Sequence, residues 1–239
     1  KDLRLKIDNN FSIFSNTNAL PIAGVEFIEA SREHAIAFIN YQEEGIIPVY
    51  ILGLRDNENL LLDDENNWKY RYVPAFVRRY PYIMVEPDKD GKSVVCIDAD
   101  YEGINDPKGE LIFTQKDGET KPAPQLEAAM EMLHDFNAQL ARTREFTKRL
   151  EEFDLLKEIA PQINLADGRE FSIGGIYTID EEKLLKLDDE KALTLYRSGE
   201  MAWIYNHLAS ISNLLHLANF IPADAKGTPK KTKAVKKKK

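Results

Sequence analysis

QLEAAMEMLHDFNAQLARTREFTKRLEEF, residues 125–153, sets the architecture. Its apolar residues fall at 126, 129, 130, 133, 136 and 140, then at 146, 150 and 153. That is the three- and four-residue spacing of one helix face. At a rise of ~1.5 Å per residue the helix spans roughly 40 Å. The stripe weakens at Thr143 and Arg144, where a bend or break is expected.

Upstream the period shortens. Ala35-Ile-Ala-Phe-Ile39 is an apolar run of strand length, and Glu43-Glu44-Gly45 reads as a turn. Ile47 to Leu54 is a second run, with Pro48 near its start, where proline is tolerated. Asp56 to Asn59 reads as a hairpin loop onto Leu60-Leu61-Leu62, giving three antiparallel strands. Before them, Val25 to Ile28 is a short strand-like stretch leading to Ser31, read as a helix N-cap. Pro74 suits a first helical turn, with Phe76, Val77 and Tyr80 on its buried side and Pro81 as its stop. Ile83 to Glu86 and Ser93 to Asp98 read as a hairpin around Asp88-Lys-Asp-Gly91, and Leu111 to Phe113 as one more strand.

Downstream, Ile163 to Leu165 and Glu170 to Ile179 flank the turn Ala166-Asp-Gly168. Thr178 with Glu181 fits a capping box, and Asp180 is an alternative cap for a helix running to about Leu187. Asp188 or Asp189 starts another, Gly199 interrupts it, and Ala202 to Phe220 forms the last, closed by Pro222. The expectation is an α+β fold, a mainly antiparallel sheet in the N-terminal half packed with C-terminal helices. It covers 1–221, divisible into a β-rich part at 20–115 and a helical part at 125–221, with a disordered lysine-rich tail at 222–239.

The bulk numbers set limits. With 43% hydrophobic and 30% charged residues among 239, the chain is ordinary globular material. The net charge of −8 includes eight lysines between Lys226 and Lys239; without them the charge is −16. A body that acidic repels nucleic acid and anionic membranes, so no nucleic-acid partner is expected of it. The single cysteine, Cys96, rules out an intramolecular disulfide and fits the cytoplasm best, with a disulfide-free exported protein left open. The most apolar stretch, Met201 to Ile221, carries Asn206, His207, Asn213, His216 and Asn219, too many polar groups for an easy membrane span. No charged-then-apolar signal region opens the chain, and its first residue is a lysine, which leaves an upstream start open.

The sequence holds no recognisable catalytic motif. There is no phosphate-cradling glycine loop and no G-x-S-x-G nucleophile. Cys96 lies in Val94-Val-Cys-Ile97 and reads as a buried inert thiol. Asp98-Ala-Asp-Tyr-Glu-Gly103 resembles the start of a calcium loop, but Pro107 interrupts it and Gly109 takes the place of the closing glutamate, so an acidic turn is expected. Glu131 and His134 form one Glu-x-x-His pair without the second that a di-iron bundle needs. His207 and His216 point to opposite faces of a straight helix. No metal or cofactor is implied.

The best candidate site is the segment from Trp68 to Tyr82. Within it Trp68, Tyr72, Arg78, Arg79 and Tyr80 are singled out, together with His207 from the last helix. Aromatic faces stack on sugars or guanidinium groups, and paired arginines grip a carboxylate or phosphate. The alternative is architectural: tyrosines lining the core and arginines paired with the excess acids.

Three separated stretches carry a resemblance. Tyr72-Val-Pro-Ala-Phe-Val-Arg-Arg-Tyr-Pro-Tyr82, Gly175-Ile-Tyr-Thr-Ile-Asp-Glu-Glu-Lys-Leu184 and Ile204-Tyr-Asn-His-Leu-Ala-Ser-Ile-Ser-Asn213 resemble the bacterial SapC family in order and spacing, over about residues 15 to 221. The resemblance implies association with a bacterial surface layer or envelope, with a protein or envelope component as partner, and it carries over no catalytic residue. A peptide-transporter permease shares the name, but the missing spans argue against that reading. Two functions are therefore expected: a non-catalytic binding or assembly protein, or a ligand-binding or accessory enzyme with an anion or sugar pocket at Trp68–Tyr82. Oligomeric state is left open.

Overall fold

The computed structural model describes residues 2–85 and 93–222. The turn expected at Asp88–Gly91 and the tail from residue 223 lie outside them. Among the described residues nine strands precede the long helix: β1 (Arg4–Leu5), β2 (Ala19–Pro21), β3 (Ile36–Tyr41), β4 (Gly45–Ile51), β5 (Tyr82–Val85), β6 (Val94–Ile97), β7 (Glu110–Leu111), β8 (Phe113–Lys116) and β9 (Glu119–Pro122). Four follow it: β10 (Leu156–Ile159), β11 (Gln162–Asn164), β12 (Glu170–Ser172) and β13 (Ile176–Ile179). The helices are α1 (Phe27–Ala30), α2 (Ala75–Arg78), α3 (Pro124–Glu152), α4 (Glu181–Leu184), α5 (Asp189–Arg197), α6 (Glu200–Ser210) and α7 (Asn213–Leu217). The chain is α+β, as its periodicities indicate.

The main sheet has five strands in the order β10-β13-β3-β4-β2, with antiparallel pairing throughout. The β3–β4 hairpin is its centre, with Phe38 opposite Pro48 and Ile39 opposite Ile47. Pro48 lies in mid-strand, not at the strand's start. A residue's N–H and C=O point the same way in a strand, and the Pro48 carbonyl accepts from Ile22 N–H, just past the end of β2. The missing donor therefore faces a place where the ladder has already stopped. Leu60 to Leu62 do not make the third strand. They form buried loop structure, with Leu60 N–H on the Leu52 carbonyl and a single bridge from Leu62 to Trp68. The flanking strands come from β2 and from β13, which pairs Tyr177 with Phe38.

Helix α3 runs unbroken past three apolar clusters. Leu126 and Leu133 join Leu5, Tyr82 and Ile112; Phe136 joins Ala23 and Ala75; Phe146 and Leu150 enter the main core. No bend occurs at Thr143. Its side chain is 3% exposed and useful inside: Oγ1 accepts from Gly24 N–H at 2.8 Å and donates to the Gln139 carbonyl. The weak point in the apolar stripe is a polar residue with a buried job.

Some other local readings are revised, and others hold. Val25–Ile28 is a 3-10 turn running into α1, because Glu26 Oε2 accepts from Ala23 N–H and closes the helical start; Ser31 follows α1 as its C-cap. Asp180 caps α4 by accepting from Glu182 and Lys183 N–H, and Asp188 caps α5. Gly199 opens α6 at φ 79°, a left-handed conformation suited to glycine. The last helix is split into α6 and α7. At the split, Ser210 Oγ accepts from Ile36 N–H, and Asn213 Nδ2 donates to the Ser31 and His34 carbonyls. Glu170 to Ile179 is two strands: β12 pairs with β11, and β13 joins the main sheet. Cys96 is half-buried in β6 rather than buried.

Candidate functional site

The segment from Trp68 to Tyr82 wraps round the protein and is divided among several environments. Trp68 packs edge-on against Phe11 and His34, within the main core. The Tyr72 hydroxyl donates to buried Glu26, and burial beside that carboxylate raises the Tyr72 pKa. Arg78 Nε donates to the Val73 carbonyl at the exposed end of α2. Arg79 lies over the Phe76 ring, 4.0 Å from its centroid. Tyr80 donates to Asp98 Oδ2 at 2.9 Å; burial and that carboxylate push its phenol up to about 12. His207 is fully buried on α6. Its Nε2 accepts from Ile179 N–H and meets Thr178 Oγ1 at 2.9 Å, and burial lowers its pKa to about 3.

The candidates therefore do not share one pocket. Tyr72 and Arg78 line a cleft of about 480 Å³ between α2 and α3, where Glu26, Glu29, Glu131 and Asp135 outnumber the single arginine. Arg79 and Tyr80 line another of about 330 Å³, with Phe14, Phe76, Ile83 and Asp98. Successive residues near a helix end point about 100° apart, which sends the two neighbouring guanidinium groups to different clefts. Trp68 and His207 belong to the main core.

A cleft of about 540 Å³ lies between the main sheet and α3. Ile39 and Ile47 are cross-strand partners, and Val49 pairs with Pro21, so one sheet face supplies its floor. Leu140 and Thr147 of α3 form one wall, and Ile13, Phe14 and Phe76 form the other. The Thr143 and Thr147 hydroxyls donate to helix carbonyls, which leaves the lining largely apolar. Arg144 and Glu44 pair at 3.2 Å along its edge, both nearly half exposed. Ile13, Phe14 and Phe76 also border the Arg79 cleft, so the two spaces share a wall. Sequence reasoning missed Ile13 and Phe14, which sit in a 3-10 turn with no helical or strand period to flag them. Half-exposed Ile13 was the one signal, and exposure is invisible in sequence.

The SapC family model matches residues 1–217. The chain belongs to the SapC family. No curated protein and no solved structure matches it. In this SapC chain the three resembling stretches are largely occupied by structural contacts. Tyr72 and Ala75 bond Glu26, His207 meets Thr178 and Ile179 from the second stretch, and Ser210 and Asn213 hold the entry to β3. Among the described residues no helix is long and apolar enough to cross a membrane, and no group of three His, Cys, Asp or Glu side chains is placed to hold a metal.

Proposed function

We propose that this SapC chain works by binding, with the cleft between the main sheet and α3 as its ligand site. The observation that carries this reading is the cleft itself: about 540 Å³, concave, floored by Ile39, Ile47 and Val49, with charge only at its edge. Small-molecule sites have this size and this largely apolar lining. The context read for it is a bacterial surface layer or envelope pathway, with an envelope component as ligand or partner; membership of the SapC family supports this reading.

Titration with the neutral dye N-phenyl-1-naphthylamine tests it. Saturable one-to-one binding is expected, and Leu140→Trp should abolish it by filling the cleft while circular dichroism is unchanged. Dye binding that is missing, or that survives Leu140→Trp, overturns the reading.

A second reading concerns assembly. Leu185, Tyr196, Tyr205 and Leu215 of the C-terminal helical part are each more than half exposed, which supports a protein partner. Light scattering of the chain with envelope extract tests this; a monomer unchanged by the extract ends it.

A further inference from the structure

Resting on the cleft reading, we propose that the ligand is an amphiphile with one anionic head group, a carboxylate or a phosphate, and that Arg79 receives that head. The Arg79 guanidinium is half-buried against Phe76, with the Phe136 ring centroid 5.8 Å away. It makes no ion pair and no side-chain hydrogen bond among the described residues. Burial disfavours its charge and no neighbouring carboxylate offsets this. Two other arginines are treated differently: Arg149 forks onto Glu200, and Arg144 reaches Glu44. A half-buried cation without an acceptor is costly to keep, which makes it an unusual residue to leave beside an apolar cleft.

The neighbouring carboxylate does not fill the role. Asp98 lines the same space but forms no ion pair with Arg79; its Oδ2 accepts from the Tyr80 hydroxyl and its Oδ1 from Asp100 N–H. A guanidinium offers its N–H donors along one planar edge, and two oxygens of one carboxylate or phosphate match that fork. The wall of Ile13, Phe14 and Phe76 runs from Arg79 to the large cleft, so an apolar tail attached to the head has a continuous apolar surface to follow.

Displacement of the naphthylamine dye by decanoate, decyl phosphate, decanol and decylammonium tests this, with acetate and inorganic phosphate as heads without tails. The anionic alkyl ligands should displace dye at concentrations roughly tenfold below decanol, the low end for a charge-assisted hydrogen bond. Arg79→Met keeps the packing on Phe76 and should reduce that advantage below about threefold while leaving decanol unchanged; Arg79→Lys should retain part of it. Preference between decanoate and decyl phosphate separates the two head chemistries, and acetate or phosphate acting alone would mark a free anion as the ligand and overturn the amphiphile. Equal displacement by decanoate and decanol, or an anion advantage that persists in Arg79→Met, overturns the inference and leaves the cleft reading standing. A chain that binds neither dye nor decanol ends the cleft reading itself, and this inference with it.

Discussion

The Tyr72 hydroxyl donates to Glu26 Oε1 at 2.8 Å, and the same oxygen accepts from Ala75 N–H at 2.9 Å. Glu26 Oε2 takes Ala23 N–H at 3.0 Å. One carboxylate, 7% exposed, thereby ties the start of α1 to α2. Glu26→Ala leaves two buried N–H groups and a hydroxyl without an acceptor, and should cost about 3 kcal/mol. Tyr72→Phe removes one donor only and should cost about 1 kcal/mol. Urea unfolding of both variants checks the order; a loss for Glu26→Ala no larger than for Tyr72→Phe contradicts it.

Gly24 lies against the Trp203 indole so closely that an added Cβ would overlap the six-membered ring. Trp203 in turn packs on Phe27 and Phe146, so the ring has no easy retreat. Gly24→Ala should destabilise by about 1–3 kcal/mol, the usual range for overpacking. Adding Trp203→Leu should recover part of that loss, giving a non-additive double-mutant cycle by thermal unfolding. Additive effects would mean that the two sites do not meet.

His207 governs an acid response. Burial sets its folded-state pKa at about 3 against an ordinary 6.5. The unfolded chain therefore binds a proton that the folded one refuses in the window between those values. Stability from this group is complete above about pH 6.5 and falls as pH drops through the window, by at most ~1.4 kcal/mol per pH unit. Buried His34 shifts in the same direction and adds to the slope. Between pH 7.5 and 5.0 the native chain should lose about 2 kcal/mol more than His207→Gln does. Urea midpoints at the two pH values decide it, and equal losses refute it.

Sequence periodicity made α3 legible because its apolar stripe is local, and the caps at Asp180 and Asp188 because capping chemistry is local too. It failed where pairing is distant. Leu60 to Leu62 had the composition of a strand, but β2 occupies the edge of β4 that the expected hairpin would have filled, and β13, more than a hundred residues away, lies beside β3. Thr143 looked like a flaw in a helix because its partner, Gly24 N–H, is remote. The aromatic and arginine content of Trp68–Tyr82 was plain, yet the separation of Arg78 from Arg79 depends on α2 being helical up to that point. The cleft depends on Ile13 and Phe14 meeting Leu140 across the fold, which no local window records.

The strand order has a consequence for synthesis. β3 emerges early, but one of its two edges is filled only by Ile176 and Tyr177. A nascent chain still short of those residues presents the bare Phe38–Ile39 edge, backbone donors and acceptors included, to any other strand that meets it. Sheet closure must wait for Ile176 and Tyr177 to leave the ribosome, so chaperone occupancy during translation should matter more to this protein than its ordinary composition suggests.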